Sequence, residues 1–421
     1  FALTENNLYT VEAFRAYIRH LTPEGILSVS RWHPPSGPKE SLRTFALALE
    51  ALREEGVPGA ERNIVVVANP LTTAPTGASA ANIMVKRSPF TEEEIQTVLS
   101  RAQDMAFEPL YVPGVGAEPA FAEMAQAQDL YAYGANLYGY DYRPPRDDRP
   151  FFFLFARLGW LFRPVGETLW EHTEVRPLRL VVGLLAVVSA LVVLLIVVPL
   201  TALVRRPWVG QARSSRLLLY FAGIGVGFMM VEMSLMQRFI LLLGHPVYSL
   251  SVILFSLLGF GGIGSLLTNR VTEGAARRAA RLALGGASVL LVLYALALGF
   301  ALHGALGLST GLRIAVAVAL LCPLALLMGM PLPLGVKLAA SRNPNLIPWL
   351  WGINGAASVL GSVLAVVLAI GAGFTAALGV GAACYIAALA LVAREGERTP
   401  AGEGNRVAER VPTRRRAGRR R

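Results

Sequence analysis

The sequence predicts an α/β domain over residues 1–150 followed by an all-α bundle of about seven membrane spans over residues 180–393. Three observations predict it. Seven apolar runs of roughly the 20 residues that a helix needs to cross a hydrocarbon core fill the second half, in a chain that is 54% hydrophobic. The first 150 residues instead alternate amphipathic helical patterns with short apolar runs, the rhythm of α/β units. Charge divides at the same boundary: residues 1–150 hold 13 Lys and Arg against 19 Asp and Glu, and the remainder is net +17. The high overall pI therefore reflects membrane flanks and tail, where basic residues meet anionic headgroups, and excludes a nucleic-acid protein as the first reading.

In the first domain Thr10 is placed to cap a helix to about Leu21, with Glu12 in its first turn and Phe14, Tyr17 and Ile18 on one face. A Thr-Pro-Glu-Gly turn leads to a strand over Gly25–Arg31. A helix over Lys39–Glu55 and strands over Asn63–Ala68 and Asn82–Arg87 follow, the last two joined by a Gly, Ala, Thr and Pro-rich loop. The alternation argues for a mostly parallel sheet. The last two strands are too close for a helical crossover and are expected to be antiparallel. Thr91 and Glu94 have the spacing of a capping box, and Phe90 and Ile95 that of a hydrophobic staple.

The segment ALTENNLYTVEAFRAYIRHLTPEGILSVSRW resembles the second half of the spermidine synthase (polyamine aminopropyltransferase) fold, and ANPLTTAPTGASAANIMVKR is similar to that fold's loop and final strand. The resemblance implies a partial Rossmann-like domain of the class I methyltransferase type. It also implies aminopropyl transfer from decarboxylated S-adenosylmethionine to putrescine, assisted by an aspartate. The Gly-rich nucleoside turn, the acidic ribose partner and that aspartate belong to the first half of the family's domain and have no counterpart here. A Gly-rich turn is needed because the ligand approaches backbone N–H groups more closely than a Cβ allows. The chain starts in mid-pattern at Phe1, without Met or signal peptide, so a preceding portion is expected. Half a sheet would leave an edge that this portion pairs. Glu5, Asn7 and Tyr9 either border a substrate cleft or only enter and pack the helix. Thr72 and Thr73, in the loop to Ser79, either form part of a lid or a plain connection.

Residues 104–150 predict a strand near Leu110–Val112 and a helix from Glu118 to about Tyr131. Tyr131, Tyr133, Tyr138, Tyr140 and Tyr142 then suggest an interfacial aromatic belt, since the neighbouring sequence is not basic enough for base stacking. Asp147, Asp148 and Arg149 read as a charged stop or local ion pair. Residues 151–179 read as an interfacial linker, the run Phe151–Phe162 being too short to span. The five histidines have no metal-ligand spacing, and Cys322 and Cys384 both lie in apolar spans.

The most informative membrane stretch is Phe221–Arg270, two spans joined at Gly244-His245-Pro246. Glu232, Gln237 and Arg238 lie in or at the edge of its first span, where an ionised side chain costs at least a few kcal/mol without a partner or water. Gln237 and Arg238 stand roughly 140° and 240° round the helix from Glu232, so Glu232 and Arg238 do not pair within it. Glu232 reads either as a structural hydrogen bond to another helix or as part of an ion or proton pathway, and Asn354 is a candidate partner by elimination. Gly261 and Ser265, and the series Asn354, Ser358 and Ser362, suit close helix packing. Pro331 and Pro333 in MGMPLPLG would break a span and free carbonyls. These motifs, with WLWGINGAASVLGSVLAV, resemble the membrane segments of multi-pass bacterial proteins carrying a spermidine synthase-like domain.

Two functions follow as expectations: a membrane-bound aminopropyltransferase-like enzyme, or a transporter or sensor whose domain binds a polyamine or nucleoside without chemistry. Arg205, Arg206, Arg213 and Arg216 follow the first span; Arg270, Arg277, Arg278 and Arg281 follow the third; Lys337 and Arg342 end the fifth. The rule that basic loops stay inside places the C-terminus in the cytoplasm of a cell (inner) membrane protein. Residues 394–421 form an Arg-rich tail expected to be disordered at the lipid surface. Seven spans then put the first domain outside, whereas a nucleoside-using transferase is expected inside. Either the count is wrong by one, through Phe151–Phe162, or the domain is external.

Overall fold

The computed structural model describes residues 3–34, 37–69, 79–135, 137–162, 169–203, 212–341 and 344–394. Its first part begins with α1 (Val11–His20), where the Thr10 hydroxyl accepts from Ala13 N at 3.2 Å and Val11, Phe14 and Ile18 are buried. Next come β1 (Ile26–His33), α2 (Lys39–Glu54), β2 (Ile64–Asn69), β3 (Ser79–Lys86), α3 (Glu92–Asp104), β4 (Glu108–Val112) and the two-residue β5 (Gly116–Ala117). The capping box at α3 forms in both directions, at 2.8 and 3.2 Å.

The strands make one sheet in the order β1-β3-β2-β4-β5. Every ladder among the described residues is antiparallel, which corrects the expected mostly parallel sheet. The cause is the short β2–β3 connection. It forces β3 back against β2, and β3 then fills the place beside β1 that a parallel β2 would have taken. β1 and β2 still run in the same direction, joined through α2. Strand β2 is buried on both faces: Ile64, Val66 and Ala68 pack with α2, while Val65 and Val67 pack with Phe90 and Ile95. A strand covered twice reads as a continuous apolar run, as IVVVA does. On β1 the far face stays open, with Ile26 and Trp32 about half exposed.

The single helix expected over Glu118–Tyr131 is two, α4 (Pro119–Gln126) and α5 (Leu130–Gly134). Asp129 ends the continuity because its carboxylate accepts from Tyr131 N and Ala132 N, a cap that restarts the helix. Several of the tyrosines that follow pack within the protein, while Tyr138 is exposed. Tyr142 is buried in the domain core, Tyr140 packs on Trp160, and Tyr131 accepts from Arg146.

The run from Phe151 is packed between the domain and the helices. Phe152 and Phe155 fill the domain core, while Phe151 and Leu154 pack with Val175, Leu178, Ile370 and Phe374 of the helices. Alternate side chains thus bind the two parts together. Arg43, 2% exposed, secures the run by donating to the carbonyls of Phe152, Leu154 and Asp141. A buried guanidinium is tolerated where such partners replace water.

Among the described residues, seven helical segments are long and apolar enough to cross a membrane. The first, Val175–Leu200, combines α6 (Leu169–Val192), a π turn and α7 (Val198–Leu203). The others are α8 (Ala212–Leu243), α9 (Pro246–Leu267), α10 (Glu273–Ala305), α11 (Thr310–Gly329) with α12 (Pro331–Ala340), α13 (Ile347–Ala372) and α14 (Phe374–Arg394). The α8–α9 turn is at Gly244, which has a φ of +74°, and the His245 ring accepts from Val247 N. The α11–α12 break falls at Met330, and Pro331 O accepts from the Tyr220 hydroxyl at 2.8 Å.

Helix α8 packs along α13 and α14, and α9 lies on α11. A Cβ on Gly264 would stand 2.1 Å from Leu326 O, so this crossing requires glycine. Asn354 donates to Phe221 O at 2.9 Å and Ser358 to Gly225 O at 3.4 Å, while Ser362 turns back to Val359 O. The Arg-rich tail lies outside the described residues.

Candidate functional site at the domain–bundle junction

The first domain sits on one end of the bundle, and a cavity of about 640 Å³ remains between them. Its domain wall is the outer face of α1, with Glu12, Arg15 and Arg19, together with Asn7 and the loop residues Asp147 and Asp148. Its bundle wall is the last turn of α8 (Arg238, Leu241, Leu242), the last turns of α10 (Leu302, His303, Leu306) and Thr375 at the start of α14. The helical period explains the domain wall. Phe14 and Ile18 point into the core, so Glu12, Arg15 and Arg19 face away from it.

Asp147 is held from two sides: its carboxylate accepts from the Thr10 hydroxyl at 2.6 Å, and its backbone N donates to Glu12 at 3.0 Å. Burial pushes its carboxyl up to about 6, against the Thr10 hydrogen bond, with Glu12 adding to the rise and His303 and Arg146 opposing it. Arg146 is occupied by Glu12, Glu50 and Glu54. Arg15 pairs with Glu54 and Glu55 at 2.8 and 2.7 Å, and Arg19 with Glu55 at 2.7 Å. Walls and immediate partners therefore set five carboxylates, Glu12, Glu54, Glu55, Asp147 and Asp148, against the four guanidiniums of Arg15, Arg19, Arg146 and Arg238. The excess is one carboxylate, and Asp147 is the wall carboxylate with no ion pair among the described residues.

The neighbouring aspartate faces the bundle. Asp148 accepts from Thr375 N at 2.8 Å and from its hydroxyl, and stands 3.5 Å from the Arg238 guanidinium. Arg238 also donates to the Thr375 hydroxyl, and Phe374 N donates to Asp148 O at 2.9 Å. Thus the first residues of α14 are capped from the domain, where a carboxylate suits the positive end of a helix.

Of the sequence-derived site residues, the structure brings together some from each set. Glu5 accepts from the Gln237 amide, and Asn7 and Arg238 line the same cavity. Burial raises the Glu5 carboxyl, and the bond from Gln237 opposes that rise. Tyr9 lies elsewhere, packed at a tilt against Phe152 and under the Arg31 guanidinium, which is 3.7 Å from its ring centre. Thr72 and Thr73 fall outside the described residues. Glu232 is on a different face of α8, half-buried, with no hydrogen bond or ion pair among the described residues. Asn354 does not reach it, because the bond to Phe221 O holds that amide about 16 Å along the axis from Glu232.

Sequence reasoning missed Glu12, Asp147, Asp148, His303 and Thr375 as one group. The available signal was the acidic pair inside RPPRDDRP directly before an apolar run. Compared with known proteins, the chain matches no family model, no curated protein and no solved structure.

Proposed function

We propose that this chain is a multi-pass protein of the cell (inner) membrane that binds a small organic amine, a polyamine in the first instance, in the junction cavity, and acts as a transporter or sensor without chemistry on it. The observation that carries the reading is the convergence of Glu12 and Asp147 on a cavity whose opposite wall is Leu241, Leu242, Leu302 and Leu306. An ammonium group would neutralise the carboxylates while a methylene chain lies on the leucines, and the volume is in the usual range for small-molecule sites. The spermidine synthase-like resemblance of the domain supports a polyamine over a nucleoside, for which no Gly-rich turn is present in this sequence.

The test is calorimetry of spermidine and putrescine against the full chain in nanodiscs. Saturable binding is expected, weakened about tenfold or more by Asp147→Asn, equivalent to about 1.4 kcal/mol. A wild-type protein that takes up no amine overturns the reading.

A second reading is aminopropyl transfer with decarboxylated S-adenosylmethionine as co-substrate. It is favoured by the codirectional β1-α2-β2 unit with β3 inserted between its strands, a split βαβ arrangement fitting part of a Rossmann-like domain. Formation of spermidine from putrescine and that co-substrate by the purified protein is its test, and absence of product removes it.

A further inference from the structure

We infer that the first domain and the junction cavity lie on the extracytoplasmic side, so that the cavity is filled from outside the cell. The inference uses the cavity as the ligand site proposed above, but its own basis is the direction of the helices.

Among the described residues, the domain touches one end of the bundle. Its ties go to Gln237 and Arg238 near the end of α8 and to Thr375 at the start of α14. This end also holds the α8–α9 turn, the α10–α11 connection and the α13–α14 turn. In those three connections and the two helical turns on either side of them, the basic residues are Arg238, His245, His303 and Arg313. Arg313 is committed to capping, donating to the carbonyls of Leu306 and Leu308.

The opposite end is strongly basic. Arg270 lies beside the α9–α10 connection, Arg277, Arg278 and Arg281 lie in the first turns of α10, and Lys337 and Arg342 flank the next connection. The first span does not discriminate, since Arg157, Arg163, Arg176 and Arg179 precede or open it and Arg205, Arg206, Arg213 and Arg216 follow it. The other six spans all point the same way. Retention of Lys and Arg in the cytoplasm, counted over short loops, therefore sets the domain-bearing end outside. The side is read from where the domain rests on the helices. The run from Phe151 is built into the junction and supplies no eighth crossing.

The consequence concerns chemistry. A site outside the membrane is cut off from co-substrates made in the cytoplasm, so the cavity serves capture or sensing of an external amine and not transfer from a cytoplasmic nucleoside donor.

The experiment places single cysteines in the full chain with Cys322 and Cys384 replaced by alanine. Ser100→Cys, on an exposed position of α3, reports the domain, and Ser341→Cys, exposed after α12, reports the opposite end. A membrane-impermeant maleimide is expected to label the first in intact cells and the second only after permeabilisation. A green fluorescent protein fused to the C-terminus is expected to fluoresce, and alkaline phosphatase at the same place to be inactive. Labelling of Ser341→Cys alone in intact cells, or an active phosphatase fusion, overturns the inference. Amine binding by purified protein is blind to sidedness, so failure of the topology and failure of the binding site give different results.

Discussion

Glu5 and Gln237, 232 positions apart in the chain, share a hydrogen bond between the domain's first loop and the last turns of α8. A second tie runs through Asp148, which holds Thr375 and faces Arg238. Asp147 next to it faces the cavity, so one dipeptide carries both the site and the attachment. A ligand at the proposed site would touch Asp147 one peptide bond from the residue that holds α14.

If Asp148 and Thr375 act as a unit, their removal should not be additive. Asp148→Ala and Thr375→Ala are each expected to lower the melting temperature of the detergent-solubilised protein. The double variant should be little worse than Asp148→Ala, with a coupling of about 1–2 kcal/mol. Additive losses would show that Asp148 holds the domain through other groups.

Acidity should act on Asp147 in an unusual direction. Its folded carboxyl is pushed from 3.8 up to about 6 by burial. The folded chain then holds this proton more tightly than the unfolded one. The stabilising contribution is fully present below about pH 4 and is lost as pH rises through about 6, with a ceiling of about 3 kcal/mol that water in the open cavity reduces. Asp141 works the other way. Although burial alone would raise it, Arg143, Arg43 and Arg149 bring its carboxyl below the usual range, so its contribution is lost on acidification. The difference in melting temperature between wild type and Asp147→Asn, followed from pH 4 to pH 8, isolates Asp147. A flat difference would contradict the assignment.

The membrane half was legible in the sequence because a span must be long, apolar and closed on its own hydrogen bonds, and residue count alone reports that. Local signals such as Thr10, Thr91 with Glu94, and Gly244-His245-Pro246 were legible for the same reason, since each acts within a turn of the chain. The sheet was not, because its order depends on where β3 inserts, a choice made by connection length and pairing between distant strands. The junction was the least legible. Phe151 and Phe152 look alike in sequence, and only the meeting of two bodies sends one to the helices and the other to the domain core. Likewise Asp147 and Asp148 read as a local pair until Thr10 on one side and Thr375 on the other divide them.

Gly373 should tolerate no side chain. It joins α13 to α14 at a φ of +90°, and a Cβ there would lie 2.1 Å from the Asp148 carboxylate. Gly373→Ala combines backbone strain of about 1–3 kcal/mol with displacement of the group that caps α14. A clear fall in melting temperature and increased protease cleavage between domain and bundle are expected. A variant as stable and protease-resistant as wild type would mean that the turn is looser than its geometry.

Glu232 separates the membrane interior from the junction. It lies 11 positions before the end of α8, about 16 Å below the domain-bearing end of the span. An ionised carboxylate at that depth costs at least a few kcal/mol unless it is paired, and its own helix offers no partner. Glu232→Gln keeps the shape and removes the charge, so the melting temperature should hold or rise. Glu232 is not a wall of the cavity, so amine affinity should stay within about twofold. A marked loss of stability would reveal a structural bond through the carboxylate. If affinity is kept while amine-driven flux in proteoliposomes is lost, the charge belongs to transport, and the junction site and the membrane interior perform separate steps of one process.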